Sequence, residues 1–158
     1  MERSICMHSI VGAVRVTERD GAIVRLAFGA DTQAQDDSDL LREAVRQLQA
    51  YFAGRLQRFD LPLAPEGTSF QQQVWRELSA IPYGQTRSYL QIAQAIGRGK
   101  ACRAVGRANH LNPIPLIIPC HRVIGADGSL TGYGGGLGKK IFLLELEQAE
   151  GSRKEKRK

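Results

Sequence analysis

The sequence predicts an α+β protein in two parts. Residues 1–66 read as a small α/β domain, residues 67–150 as a mainly helical one, and residues 151–158 as a basic, disordered tail. Three observations carry this. A hairpin pattern followed by one amphipathic helix fills the first part. Capped helices around tight turns fill the second. The composition, 42% hydrophobic and 24% charged over 158 residues, is that of a soluble globular chain. No apolar run approaches ~18 residues, so no membrane span is expected.

In the first part, Ser9–Val16 and Ala22–Phe28 are β-like runs, and Asp20-Gly21 between them is a hairpin signal. Asp31–Asp39 is polar and reads as a loop. SDLLREAVRQLQAYFAG then reads as a helix with Ser38 as N-cap and Gly54 as stop. Leu41, Val45, Leu48 and Phe52 recur at helical spacing and form its expected buried stripe. A short strand near Leu56–Leu61 closes this part, which carries no chemistry of its own. Cys6 and His8 are the only cysteine and histidine in this part, so no metal is expected.

In the second part, TSFQQQVWRELSAI has Thr68 as cap and Gln71 three residues on, a capping-box pattern. Pro82-Tyr83-Gly84 turns the chain. Ser88 caps YLQIAQAI, again with Gln three residues later, and Gly97 ends it. GKACRAVGRANH comes next, after a very short connection. Two helices joined this tightly outline a helix-turn-helix, a spacing shared by ordinary helical hairpins. Arg103, Arg107 and His110 fall opposite the apolar face Ala101, Val105 and Ala108, with small residues between them, which favours approach to DNA over a merely solvated face. A formal charge of +6 leans the same way, although the closing RKEKRK supplies part of it.

IPCHRV then places a thiol, an imidazole and a guanidinium together after what reads as a buried strand. Cys120 is either an inert core residue or a nucleophile whose thiolate fraction is raised by His121 and Arg122. In the last helix, Leu137, Ile141 and Leu144 form the expected buried stripe, and Glu147 falls on that same side. A carboxylate there is costly unless paired. It is either half of a structural ion pair or the group that orients His121 in a Cys–His–Glu relay. SLTGYGGGLGKK fails as a phosphate loop, because Tyr133 and Lys140 stand where Gly and Ser or Thr are needed. It reads better as a wall of exposed backbone against a planar ligand. Three cysteines without a CxxC pair, and an opening MERSICMHSI with no long apolar stretch, point to a reducing, cytoplasmic setting.

PCHRV, preceded by NPIPLII and followed by GYGGGL and a Leu-Glu helix, closely resembles the O6-alkylguanine-DNA alkyltransferases, also called methylated-DNA–protein-cysteine methyltransferases. The likeness runs from about Thr68 to Glu147. It implies an RNase H-like N-terminal domain and a winged-helix-type DNA-binding and catalytic domain. It implies a single-use reaction in which Cys120 takes the alkyl group from O6-alkylguanine, with O4-alkylthymine as a further candidate, and no cofactor. In that scheme His121 and Glu147 activate Cys120 through a water, and Tyr89 eases charge on the departing base. Arg103 takes the place of the extruded base. Asn112 braces the turn before the cysteine. Val123, Tyr133, Gly134 and Gly135 line the guanine pocket, and Ser88, Lys100, Arg107 and Arg122 join Tyr89 and Arg103 on the DNA. The partner implied is double-stranded DNA met by a monomer, cooperativity on DNA being left open. The cysteine separates this chain from alkyltransferase-like proteins that only bind lesions. A helix-turn-helix regulator leaves Glu147 and the glycine loop without a role, and a Cys–His hydrolase leaves the basic helix without one.

Overall fold

The computed structural model describes residues 1–29, 33–128, 133 and 136–156, without the side chains of 149–156. The chain divides into two compact units, Met1–Glu66 and Gly67–Lys158.

The first unit is a three-stranded antiparallel sheet, β1 (Glu2–Ser9), β2 (Gly12–Arg19) and β3 (Ala22–Phe28), in the order β1-β2-β3. Asp20 and Gly21 both have positive φ, 52° and 82°, as a two-residue turn matched to the strand twist requires. The expected run Ser9–Val16 straddles the other turn, and β1 lies in a stretch too polar to signal a strand. Its Ser4 hydroxyl is buried because it pairs with the Thr17 hydroxyl at 2.8 Å on the neighbouring strand. The segment expected as loop after Asp31 includes pairing to the edge of β1, through Cys6 N–H to Ala34 O and Asp36 N–H to Ser4 O, each 2.9 Å.

The helix α1 (Asp39–Phe52) is capped by Ser38, whose Oγ accepts from Leu41 N–H at 3.0 Å. Leu41, Ala44, Leu48 and Tyr51 are fully buried on it. The stripe is therefore rotated from the expected one, and Val45 and Phe52 are only half-buried. No strand forms at Leu56–Leu61. Asp60 is held instead by the Gln47 side chain, and Pro62–Ala64 run beside β3 through Ile23 N–H to Pro62 O and Ala64 N–H to Ile23 O, each 2.8 Å. A proline can accept there but not donate.

The second unit opens with α2 (Ser69–Ser79), carrying the full Thr68–Gln71 capping box. A Cβ on Gly67 would stand 2.4 Å from the Trp75 ring, so only glycine fits at this entry. After β4 (Arg87–Ser88) come α3 (Tyr89–Ala95), with its Ser88–Gln91 capping box, and α4 (Cys102–His110), the helix-turn-helix. Gly97, at φ 75°, stops α3. Trp75 Nε1–H donates to Ala108 O at 2.9 Å and ties α2 to α4.

The apolar segment before Cys120 is not a strand. Pro113, Pro115 and Pro119 remove the donors a ladder needs, and the chain packs Ile114, Leu116 and Ile118 inward as a buried turn. Cys120–Arg122 then form a single 3-10 turn, and β5 (Val123–Ile124) pairs in parallel with β4. The helix α5 runs from Leu137 to Lys156. Residues 151–156, expected as disordered tail, continue that helix. Arg, Lys and Glu favour helix, and a lone Gly151 costs only about 1 kcal/mol. The buried side of α5 is Lys140, Leu143, Leu144 and Glu147, whereas Leu137 and Ile141 are 45% and 37% exposed. The expected stripe is off by about one residue, because two of the inward positions are charged.

Candidate active site

The 3-10 turn holds Cys120, His121 and Arg122 as consecutive buried side chains, and α5 delivers Glu147 and Lys140 to the same place. Glu147 is the hub. Its Oε2 lies 2.6 Å from His121 Nε2 and accepts from Arg122 Nη2 at 3.0 Å, while its Oε1 accepts from Arg122 Nε at 2.7 Å. The remaining Arg122 nitrogen, Nη1, donates to Ile81 O at 2.7 Å at the end of α2.

Burial alone would raise the Glu147 carboxyl, but the bonds from His121 and Arg122 and their charges outweigh it and hold it at about 2. The carboxylate is therefore ionised at neutral pH. The hydrogen shared with His121 must sit on Nε2, and Nδ1 of the neutral ring keeps its lone pair. Burial is also the main force on His121, lowering its proton affinity; Glu147 opposes it, and Arg122 and Lys140 add to it. Nδ1 is buried with no hydrogen-bond partner among the described residues. It is a base in its reactive form.

Cys120 is 5% exposed. Burial pushes its thiol up to about 11, against smaller opposing effects from the Asn112 side chain, the Lys140 charge and the local backbone. The expectation that neighbouring cations raise the resting thiolate fraction is thus reversed. Desolvation of the anion dominates, and Arg122 spends its charge on Glu147. At pH 7 the thiolate is about four decades below the thiol. The resting thiol is thus protonated, and the next residue in the same turn, His121, carries an imidazole nitrogen able to accept a proton.

Other expected site residues fall where the backbone turns. Asn112 donates from Nδ2 to Ile118 O at 2.8 Å and accepts from Ile114 N–H at 3.0 Å, bracing a turn in which Leu116 has φ 74°. A β-carbon at that angle costs of order 1–3 kcal/mol, so the brace holds a strained segment against the cysteine. Tyr133 is buried with its ring edge-on to His121, centroids 6.4 Å apart, and burial raises its hydroxyl well above the usual range. Val123 is buried, and its carbonyl accepts from Lys140 Nζ at 2.7 Å. A carbonyl oxygen has a second lone pair, so it can still meet a base edge. Gly134 and Gly135 lie outside the described residues.

Across α3, α4 and the turn between them, Lys100, Arg103 and Arg107 are exposed and Tyr89 is half-buried; Ser88, also half-buried, uses its hydroxyl as the α3 cap. The Tyr89 ring packs toward Gly106, 3.7 Å from where a β-carbon would stand. Arg122 does not belong to this surface. It is 7% exposed and locked to Glu147, which corrects its expected place on the DNA. Lys140 is the site residue that sequence reasoning missed. It is fully buried, and burial lowers its proton affinity. The signal was its seven-residue spacing from Glu147, two turns along one face. Among the described residues no metal-ligating cluster of His, Cys, Asp and Glu occurs, and no helix is long and apolar enough to cross a membrane.

The buried triad makes folding acid-sensitive. The folded value of His121 lies below its unfolded one, so stability declines as pH falls below about 6.5. The Glu147 contribution is full above about 4.3 and is lost as pH falls toward about 2. Thermal midpoints measured from pH 7 to 3 should fall throughout, and in Glu147→Gln the part below about pH 4.3 should flatten.

Residues 69–149 match the family model described as 6-O-methylguanine DNA methyltransferase, DNA binding domain, and residues 3–65 match its ribonuclease-like domain. The chain is 61% identical over 113 residues to a methylated-DNA--protein-cysteine methyltransferase of Methanosarcina barkeri, covering 72% of each chain. It is 62% identical over 106 residues to that of Mycobacterium tuberculosis, covering 67% of this chain and 64% of the other. The solved structure of the M. tuberculosis O6-methylguanine methyltransferase superposes with a TM-score of 0.86 at 46% identity over 94% of both chains. A structure of M. tuberculosis OGT in complex with DNA gives 0.86 at 47% identity over 93% of both.

Proposed function

The chain belongs to the 6-O-methylguanine DNA methyltransferase family, and from that membership and the site's chemistry we infer that it repairs DNA by moving an alkyl group from guanine O6 to its own Cys120. One observation carries the assignment of roles: in the turn that buries Cys120, the imidazole of the next residue, His121, has its Nε2–H held by the Glu147 carboxylate at 2.6 Å.

The lesion oxygen is buried in a stacked duplex, so the nucleotide must be rotated out first, at a cost of a few kcal/mol. Exposed Arg103 and Arg107 on α4 are suited to offset that cost, Arg103 by filling the gap and Arg107 by meeting phosphate. Tyr89, Asn112, Val123 and Tyr133 are assigned to the receiving pocket, with Lys100 and Ser88 beside the DNA backbone. Sulfur attacks the methyl carbon; the S–C bond forms as the C–O6 bond breaks, and the pair of electrons leaves with guanine. The thiol proton passes to His121 Nδ1, directly or across one water, and guanine regains a proton at its ring nitrogen with Tyr89 easing the transfer. The thioether has no leaving group to restore the thiol, so each chain acts once. No cofactor enters this balance.

Residues 67–150 carry this chemistry, and residues 1–66 are given no part in it. None of the three cysteines forms a disulfide, which fits a reducing cytoplasm. The test is transfer from a duplex bearing a single O6-methylguanine, compared with attack on the free base. Arg103→Ala should slow the duplex reaction far more than the free-base reaction. Arg107→Ala should weaken binding and lower the salt slope by about 1. Equal losses on both substrates for Arg103→Ala would mean that it supports the pocket rather than base extrusion.

A further inference from the structure

We infer that Arg122 is a positioning residue of the transfer reaction: it pins the Glu147 carboxylate and balances its charge, so that His121 stands ready as a neutral base. This rests on the reading of Cys120 as acceptor.

The geometry is specific to a guanidinium. Arg122 spans both Glu147 oxygens at 2.7 and 3.0 Å and reaches Ile81 O at 2.7 Å, with its charge 5.7 Å from the centre of the Tyr83 ring. A lysine is a point charge and cannot meet these three acceptors together. Oε2 is shared between Arg122 and His121, so the fork sets the carboxylate orientation that the imidazole meets. Among the described residues, the groups that act on the His121 ring are Glu147 and Lys140 from α5, Tyr133, and Arg122 from its own turn, in which Cys120 is the preceding residue. Among them Glu147 alone draws a proton onto the ring, and with its charge unbalanced the imidazole would stay protonated to higher pH. Nδ1 would then hold a proton of its own over more of the pH range and could not take one from the thiol. Arg122 cancels that pull, and its own positive charge discourages ring protonation further.

The experiment is an NMR titration of the His121 ring in isotope-labelled full-length protein, alongside the pH dependence of methyl transfer. The chain has three histidines, so His8→Gln and His110→Gln assign the signal. In Arg122→Gln the ring should titrate about one unit higher than in the native chain, and the acidic limb of the transfer profile should move with it. A loosened but otherwise unaltered site would lower the plateau and leave the limb in place. Native titration in Arg122→Gln overturns the proposal. Should that variant not fold, Arg122→Gln combined with Glu147→Gln buries no lone charge, and its ring should titrate about one unit above that of Glu147→Gln alone. Equal titration of those two also overturns it. Methyl transfer by the native chain tests the Cys120 reading separately.

Discussion

Cys120→Ala should abolish methyl transfer while leaving affinity for methylated duplex nearly unchanged. The reason is a separation of surfaces. Cys120 is 5% exposed, in the 3-10 turn, whereas Arg103 and Arg107 lie exposed on α4. Removing the thiol also removes no charge, because burial keeps it protonated. The fold should survive with little more than the loss of one sulfur's packing. Gel-shift titration and a transfer assay on the same preparation check both halves. Residual transfer would place the acceptor elsewhere, with half-buried Cys6 and Cys102 the alternatives. Lost binding would mean that the turn around the cysteine shapes the DNA surface.

Glu147→Gln should slow transfer at pH 7 by about 10²-fold, the lower end of what a positioned base contributes. Glutamine can still accept from His121 Nε2, so the ring keeps its place, but the negative charge that raises its proton affinity is gone. The weaker base takes the thiol proton less readily. As pH rises toward the thiol's own range near 11, thiolate forms without help and part of the rate returns. Stability falls as well, by about 3 kcal/mol, because Arg122 is left buried without its counter-charge. A pH profile of unchanged shape with a lowered melting temperature would show that Glu147 merely anchors α5.

Much of this is legible in sequence wherever a local rule decides. The capping boxes at Thr68 and Ser88, the Ser38 cap and the Asp20-Gly21 turn each act within a few residues and form as expected. Glu147 stands out because a carboxylate on a buried face needs a partner. What escapes depends on contacts distant in sequence. The strand β1 is polar at its start and makes sense only once Ser4 meets Thr17 across the sheet. The buried stripe of α5 is misplaced in sequence because Lys140 and Glu147, not Leu137 and Ile141, face inward, paired with Val123 O and with the His121–Arg122 turn. The resemblance puts Arg122 on the DNA, and only the fold reveals that its charge is already committed to Glu147. The thiol's resting state depends on depth of burial, which no neighbouring letter in PCHR records.

Intact-mass spectrometry of the native chain after mixing with excess methylguanine duplex is the sharpest test of Cys120 as a single-use acceptor. One added methyl per chain is expected, mapped to Cys120, with one guanine restored for each protein molecule and no further turnover. Methylation at Cys102 or Cys6, or repair continuing beyond one equivalent with the thiol regenerated, would refute that role.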